Sequence, residues 1–104
     1  MRDIKFRAWD KVRGEMLTQP IGTKYGLHRF FSFISERGVC ELMQYSGLKD
    51  KNGVEIYEGD ITKHPDRVRV LVVGFANGAF TNCYNFDGVE VIGNIYQNPE
   101  LIKD

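Results

Sequence analysis

The sequence is short of almost everything that would announce a specialised class of protein. Its two cysteines, Cys40 and Cys83, are too few for a disulfide scaffold, so reduced thiols are expected. Its three prolines form no proline-rich stretch, and no repeat or low-complexity segment is visible, which excludes a solenoid or a linker. No apolar run is long enough to span a bilayer, and Met1-Arg2-Asp3 opens the chain without an apolar leader; the expectation is a cytoplasmic protein with no membrane partner. Net charge is missing too. The 14 Lys and Arg side chains balance the 14 Asp and Glu, so no whole-molecule field holds the protein on a polyanion.

What is present is globular. Apolar residues make up 42% and charged residues 27% of 104 residues, the size and composition of one folded domain spanning 1–104. Short β-type runs alternate with turn signals. Ile4, Phe6 and Ala8 fall on one face of a strand, with Lys5, Arg7 and Trp9 on the other; Asp10-Lys-Val-Arg-Gly14 turns the chain into a partner strand, Glu15–Thr18. Leu27–Ile34 reads as a further strand, with a short helix as the alternative, and Val39–Tyr45 as its hairpin partner across Glu36-Arg-Gly38. Gly47–Gly53 reads as a polar loop whose Asn52-Gly53 suits a type I′ turn into a strand near Glu55–Tyr57. Glu58-Gly59-Asp60 turns into Ile61–Lys63, and Pro65-Asp66 breaks the chain before Arg67–Phe75, the strongest strand pattern. Asn77-Gly78 is a second type I′ signal, leading to Ala79–Phe86, and Asp87-Gly88 turns into Val89–Ile95. Pro99 is placed to open one final helical turn. The fold class is therefore all-β: a small, partly open barrel or sandwich of short antiparallel hairpins, SH3-like in the C-terminal half by analogy of pattern.

Three segments carry a family resemblance: Lys5-Phe-Arg-Ala-Trp-Asp10, Leu42-Met-Gln-Tyr-Ser-Gly-Leu-Lys-Asp-Lys-Asn-Gly-Val-Glu-Ile-Tyr-Glu-Gly-Asp-Ile61, and Ile92-Gly-Asn-Ile-Tyr-Gln-Asn-Pro-Glu-Leu101. Together they resemble the YopX family, found mainly in bacteriophages and prophages. The departures are Ser46 in place of the usual threonine, Thr62 in place of valine, and a compact stretch between Asp10 and Leu42. The resemblance implies a β-rich fold and a phage setting, and it implies no reaction, cofactor or ligand.

Chemistry is sparse. Glu55, Glu58 and Asp60 cluster beside Tyr57, where paired carboxylates could serve acid/base or divalent-cation chemistry, against the plainer reading of a solvated turn around Gly59. His28, Cys40, His64 and Cys83 lack the close pairs of a structural zinc site, so neither a metal nor any other cofactor is expected. No catalytic residue is assigned. Arg2, Lys5, Arg7 and Arg13 surround Trp9, a combination that binds single-stranded nucleic acid, set against an ordinary edge-strand face. Tyr45, Lys49, Lys51, Tyr57 and Tyr96 are the candidates for contact with a partner. The leading expectation is a non-enzymatic accessory protein that binds a host or phage protein, with homo-oligomer formation open. A nucleic-acid module, and an enzyme or metal protein around Glu58 and Asp60, stand as alternatives.

Overall fold

The structure is a computed structural model that describes residues 5–18, 32, 34–36, 38–83 and 88–102. The described residues form nine strands, all paired antiparallel: β1 (Phe6–Asp10), β2 (Glu15–Thr18), β3 (Cys40–Lys49), β4 (Glu55–Tyr57), β5 (Asp60–Lys63), β6 (Leu71–Val72), β7 (Gly74–Ala76), β8 (Ala79–Thr81) and β9 (Glu90–Asn94). They form a four-stranded half-barrel sheet, β2-β1-β3-β4, a three-stranded sheet, β6-β5-β9, and a two-stranded ribbon, β7-β8. A single 3₁₀ turn follows at Pro99–Ile102, opened by the proline as its missing N–H allows. The mainly β, antiparallel architecture read from the turns is the one observed.

The core lies where the sheets meet. Ile56 of β4, Val73 and Val89 pack together, covered by Leu48, Phe80, Cys83 and Val91. Burying a side chain such as Ile56 contributes about 2 kcal/mol. Val73 is the joint: its N–H donates to Asp60 O (2.9 Å) and its carbonyl accepts from Gly59 N–H (2.7 Å). The next residue, Gly74, leaves that ladder and pairs with Thr81, whose Oγ1 lies 2.7 Å from where a Cβ would stand. The expected single strand over Arg67–Phe75 is thus split. Its end feeds two different sheets at the Val73–Gly74 bend, and Arg67–Val70 enters no strand.

Three further expectations change. Of the strand expected over Leu27–Ile34, only Ser32 and Ile34 are described, and both are helical, as are Ser35 and Glu36. Gly38, at φ 69°, closes this segment by donating its N–H to Ile34 O, the αL termination that glycine favours. β3 accordingly pairs with β1, from Phe6↔Gln44 to Asp10↔Cys40. Second, β3 runs through Gly47 to Lys49, so the loop expected over Gly47–Gly53 shrinks to Lys51–Gly53. Third, Asn52-Gly53 is no type I′ turn. Gly53 has φ 81° but Asn52 keeps negative φ; Gly53 N–H bonds Asp50 O and Asp50 N–H bonds Val54 O, the three-residue hairpin with a glycine bulge. Asn77-Gly78 does form type I′, with φ of 54° and 79° between paired Ala76 and Ala79. The strand expected over Ala79–Phe86 is observed only as β8, and Tyr84–Phe86 and Asp87 lie outside the described residues.

Candidate functional site

Alternation along β1 buries Ala8 and Asp10 on one face. The opposite face carries Lys5, Arg7 and Trp9, and in register with it β3 presents Tyr45, Met43 and Glu41. This face is covered rather than open. Arg7 extends over β3 along this face to the β4 edge of the sheet, where its guanidinium lies 4.4 Å from the centre of the Tyr57 ring and Nη2 ion-pairs with Asp60 Oδ1. The Asp60 side chain is 1% exposed and that of Arg7 14%. Asp60 Oδ2 accepts the Tyr57 N–H at 2.7 Å, so both carboxylate oxygens are bonded. Arg7 Nε is buried and, among the described residues, has no hydrogen-bond partner.

Lys5 repeats the arrangement nearer the surface. Its ammonium meets Glu55 Oε2 at 2.6 Å and sits 5.3 Å from the centre of the Tyr45 ring. The Tyr45 and Tyr57 rings lie 5.4 Å apart, tilted, and Tyr57 Oη donates to Glu55 Oε1 at 3.3 Å. Further along, Lys11 pairs with Glu41 (2.5 Å) and Arg13 with Asp10 (3.1 Å). Asp10 also accepts the N–H groups of Val12 and Arg13, which closes the β1–β2 turn. The result is a seam of cations on β1 and its turn, each matched to a carboxylate.

Burial sets the titration of this seam. Loss of water pushes the Asp60 carboxyl above its ordinary value; the Arg7 charge, the Tyr57 N–H and the Arg7 hydrogen bond pull it back without cancelling the rise, and the Asp50 charge adds to it. Burial likewise raises the Tyr57 phenol, helped by Glu55. Cys83, in the core beside Ser46 and Asp60, is raised chiefly by burial, so it stays a thiol and lacks the activated form a nucleophile needs.

The sequence candidates are therefore distributed. Lys5, Arg7, Glu55, Tyr57 and Asp60 are brought together; Tyr45 is buried beneath Lys5. Glu58 stands apart, accepting the Gln44 N–H at 3.3 Å, and Trp9 is half-buried opposite Met16 and Glu41. Lys49 and Lys51 are exposed at the β3–β4 hairpin, with Lys51 3.7 Å from Glu90, and Tyr96 is half-buried. Arg2 and His28 lie outside the described residues, among which no group of three or more His, Cys, Asp and Glu could hold a metal ion. Sequence reasoning missed Asp10 and Asp50. Asp50 accepts N–H groups from Asn52 (2.8 Å), Val54 (2.9 Å) and, on β9, Val91 (3.0 Å). Its Asp-x-Asn-Gly spacing, the signature of a side chain that closes its own turn, was the available signal.

The third family-like segment resolves the same way. Asn94 Oδ1 caps the N–H groups of Tyr96 and Gln97, and Asn98 Oδ1 accepts the Asn94 N–H. Comparison with known proteins agrees with this architecture. No curated protein matches the chain. The crystal structure of protein EF1440 from Enterococcus faecalis is similar at 29% identity, covering 99% of this chain and 100% of that one, with a TM-score of 0.69. The family model described as YopX protein matches residues 5–103, a span that takes in the ion-paired seam, the Asp50 turn and the Asn94 cap, and on that match the chain belongs to the YopX family.

Proposed function

We propose that this chain is a non-enzymatic accessory protein of a phage or prophage that acts by binding another protein through the β3–β4 hairpin. The observation that supports the reading is the composition of that hairpin's tip. Lys49, Lys51, Asn52, Gly53 and Val54 are all exposed, and Val54 holds a large apolar side chain in water beside the two cations. The tip is also rigid: Asp50 bonds it from within, and Lys51 N–H donates to Val89 O at 2.9 Å, docking it on the β9 side. A preorganised apolar side chain ringed by polar groups is what a contact surface needs, since little ordering entropy remains to be lost on binding.

Affinity capture from lysogenic or infected cells, with wild type and Val54→Asp side by side, tests this. One protein enriched by wild type and lost with Val54→Asp, at unchanged thermal stability, supports it; a second copy of the chain counts as that protein if light scattering shows the same dependence. Salt-dependent retention of single-stranded DNA, abolished by Arg7→Glu, would replace it with the nucleic-acid reading. That reading requires phosphates to displace the carboxylates now bonded to Lys5, Arg7 and Arg13.

A further inference from the structure

We propose that the β5–β6 loop, residues 64–70, is a second contact surface, built to take an acidic, extended segment of a partner protein. This goes beyond the hairpin reading and does not depend on it.

Charge comes first. The cations of β1 and the turn after it are each bonded to a carboxylate, and Lys51 lies near Glu90. Among the described residues, Lys63, Arg67 and Arg69 have no ion-pair partner, and Asp66 is the sole carboxylate in the same stretch. In a protein with no net charge, residues 63–70 thus carry three cations against one carboxylate, well separated in sequence from the N-terminal strand.

Shape comes second. Val68, between the two arginines, is 94% exposed, more than any other large apolar side chain described. The loop that presents it is anchored. Arg67 N–H donates to His64 O at 3.0 Å, Asp66 N–H donates to His64 Nδ1 at 3.1 Å, and Pro65 packs on Gly88, where its Cγ would lie 3.0 Å from an added Cβ. Two β-branched residues, Val68 and Val70, stand outside every strand here, and among the described residues the Val68 and Arg69 N–H groups make no backbone bond. A strand-forming stretch with free backbone groups is what β-addition of an extended peptide uses.

The partner's chemistry follows. Arginines at both sides of Val68 match carboxylates, with bidentate geometry open to each, and Val68 gains by leaving water against an apolar side chain. A nucleic acid offers phosphates but no such apolar contact, and residues 63–70 include no Phe, Tyr or Trp for stacking, while the imidazole of His64 accepts the Asp66 N–H within the loop.

The test measures binding of three labelled probes to the full chain: a short peptide of alternating glutamate and valine, its counterpart of alternating lysine and valine, and a single-stranded DNA of matching charge. The glutamate peptide should bind best, weaken as salt rises, and lose about tenfold or more in affinity with Arg67→Glu/Arg69→Glu and again with Val68→Asp. Circular dichroism should show both variants folded, because these side chains are exposed and outside the ladders; Arg67→Gln/Arg69→Gln serves if the charge reversal unfolds. Val54→Asp should leave this binding unchanged, which separates failure of this surface from failure of the hairpin. Equal binding of both peptides, DNA bound more tightly than the glutamate peptide, or indifference to Val68→Asp would each overturn the proposal.

Discussion

Asp50 and Asp60 are both buried carboxylates close in sequence, yet the fold holds them in opposite ways. Asp50 is surrounded by donors that belong to the backbone: the N–H groups of Asn52, Val54 and Val91. Burial alone would push its carboxyl up, but these donors and the Lys51 charge prevail and hold it below its ordinary value. Asp60 has one backbone donor, from Tyr57, and depends for the rest on Arg7, brought across the sheet on a flexible stem; there burial prevails and the carboxyl is raised. Backbone donors fixed by a turn cost little to place, whereas a side-chain cation brings its own desolvation and ordering cost. The Asp50 site is thus a staple for the β3–β4 hairpin on β9, and the Asp60 site is a poised ion pair tying β1 to the β4–β5 turn.

The largest test of this contrast is removal of one member of the poised pair. Arg7→Met leaves Asp60 without its counter-charge, and a loss of about 3 kcal/mol is expected in urea denaturation. The double variant Arg7→Met/Asp60→Leu should recover most of it, since an apolar pair of similar volume carries no desolvation cost; additive losses would show that the pair itself holds the sheets together. Next is Asp50→Ala, which strands three N–H donors and should cost about 2 kcal/mol, without rescue by any second change.

Acidity separates the two sites by sign. The depressed Asp50 carboxyl contributes stability that is present above the unfolded carboxylate pKa and is lost as pH falls through the folded value. The raised Asp60 carboxyl does the reverse: its contribution is complete below the unfolded pKa and is lost as pH rises through the folded one. Measured by denaturation at neutral and at acid pH, Asp50→Asn should be more damaging at neutral pH, and Asp60→Asn more damaging in acid. Shifts of the same sign would end the comparison. The smallest effect concerns the two Asn-Gly turns. Asn77→Ala, at φ 54°, should cost about 1 kcal/mol in melting experiments, and Asn52→Ala, at negative φ, only a few tenths, roughly 0.3 kcal/mol.

Those turns also show how far the sequence could be read. β1, β2, β4, the type I′ turn at Asn77-Gly78 and the final turn at Pro99 follow from local rules, because the residues that set them are neighbours in the chain. Asn52-Gly53 obeys the same rule on paper, but the Asp50 side chain offers its own acceptors and a different turn results. The split at Val73 and Gly74 is decided by Asp60 and Thr81, so no reading confined to Arg67–Phe75 could find it. The site was half legible. In the sequence, Lys5, Arg7, Trp9 and the Glu55–Asp60 carboxylates stand as two separate features, one basic and one acidic. The meeting of Lys5 with Glu55 and of Arg7 with Asp60 across β3 depends on a register that sequence does not state.

That meeting bears on how the protein is made. Lys5 finds its carboxylate 50 positions later and Arg7 finds Asp60 53 positions later. During synthesis from the N-terminus, the β1–β2 hairpin emerges with Lys5 and Arg7 unmatched, and they stay so until Glu55 and Asp60 have been added. Closure of such distant contacts is slow to begin, so β1 is locked late although it is made early. In the interval the nascent chain carries an unneutralised basic arm, and on the ribosome, itself a polyanion, the neutrality of the finished protein has yet to be reached.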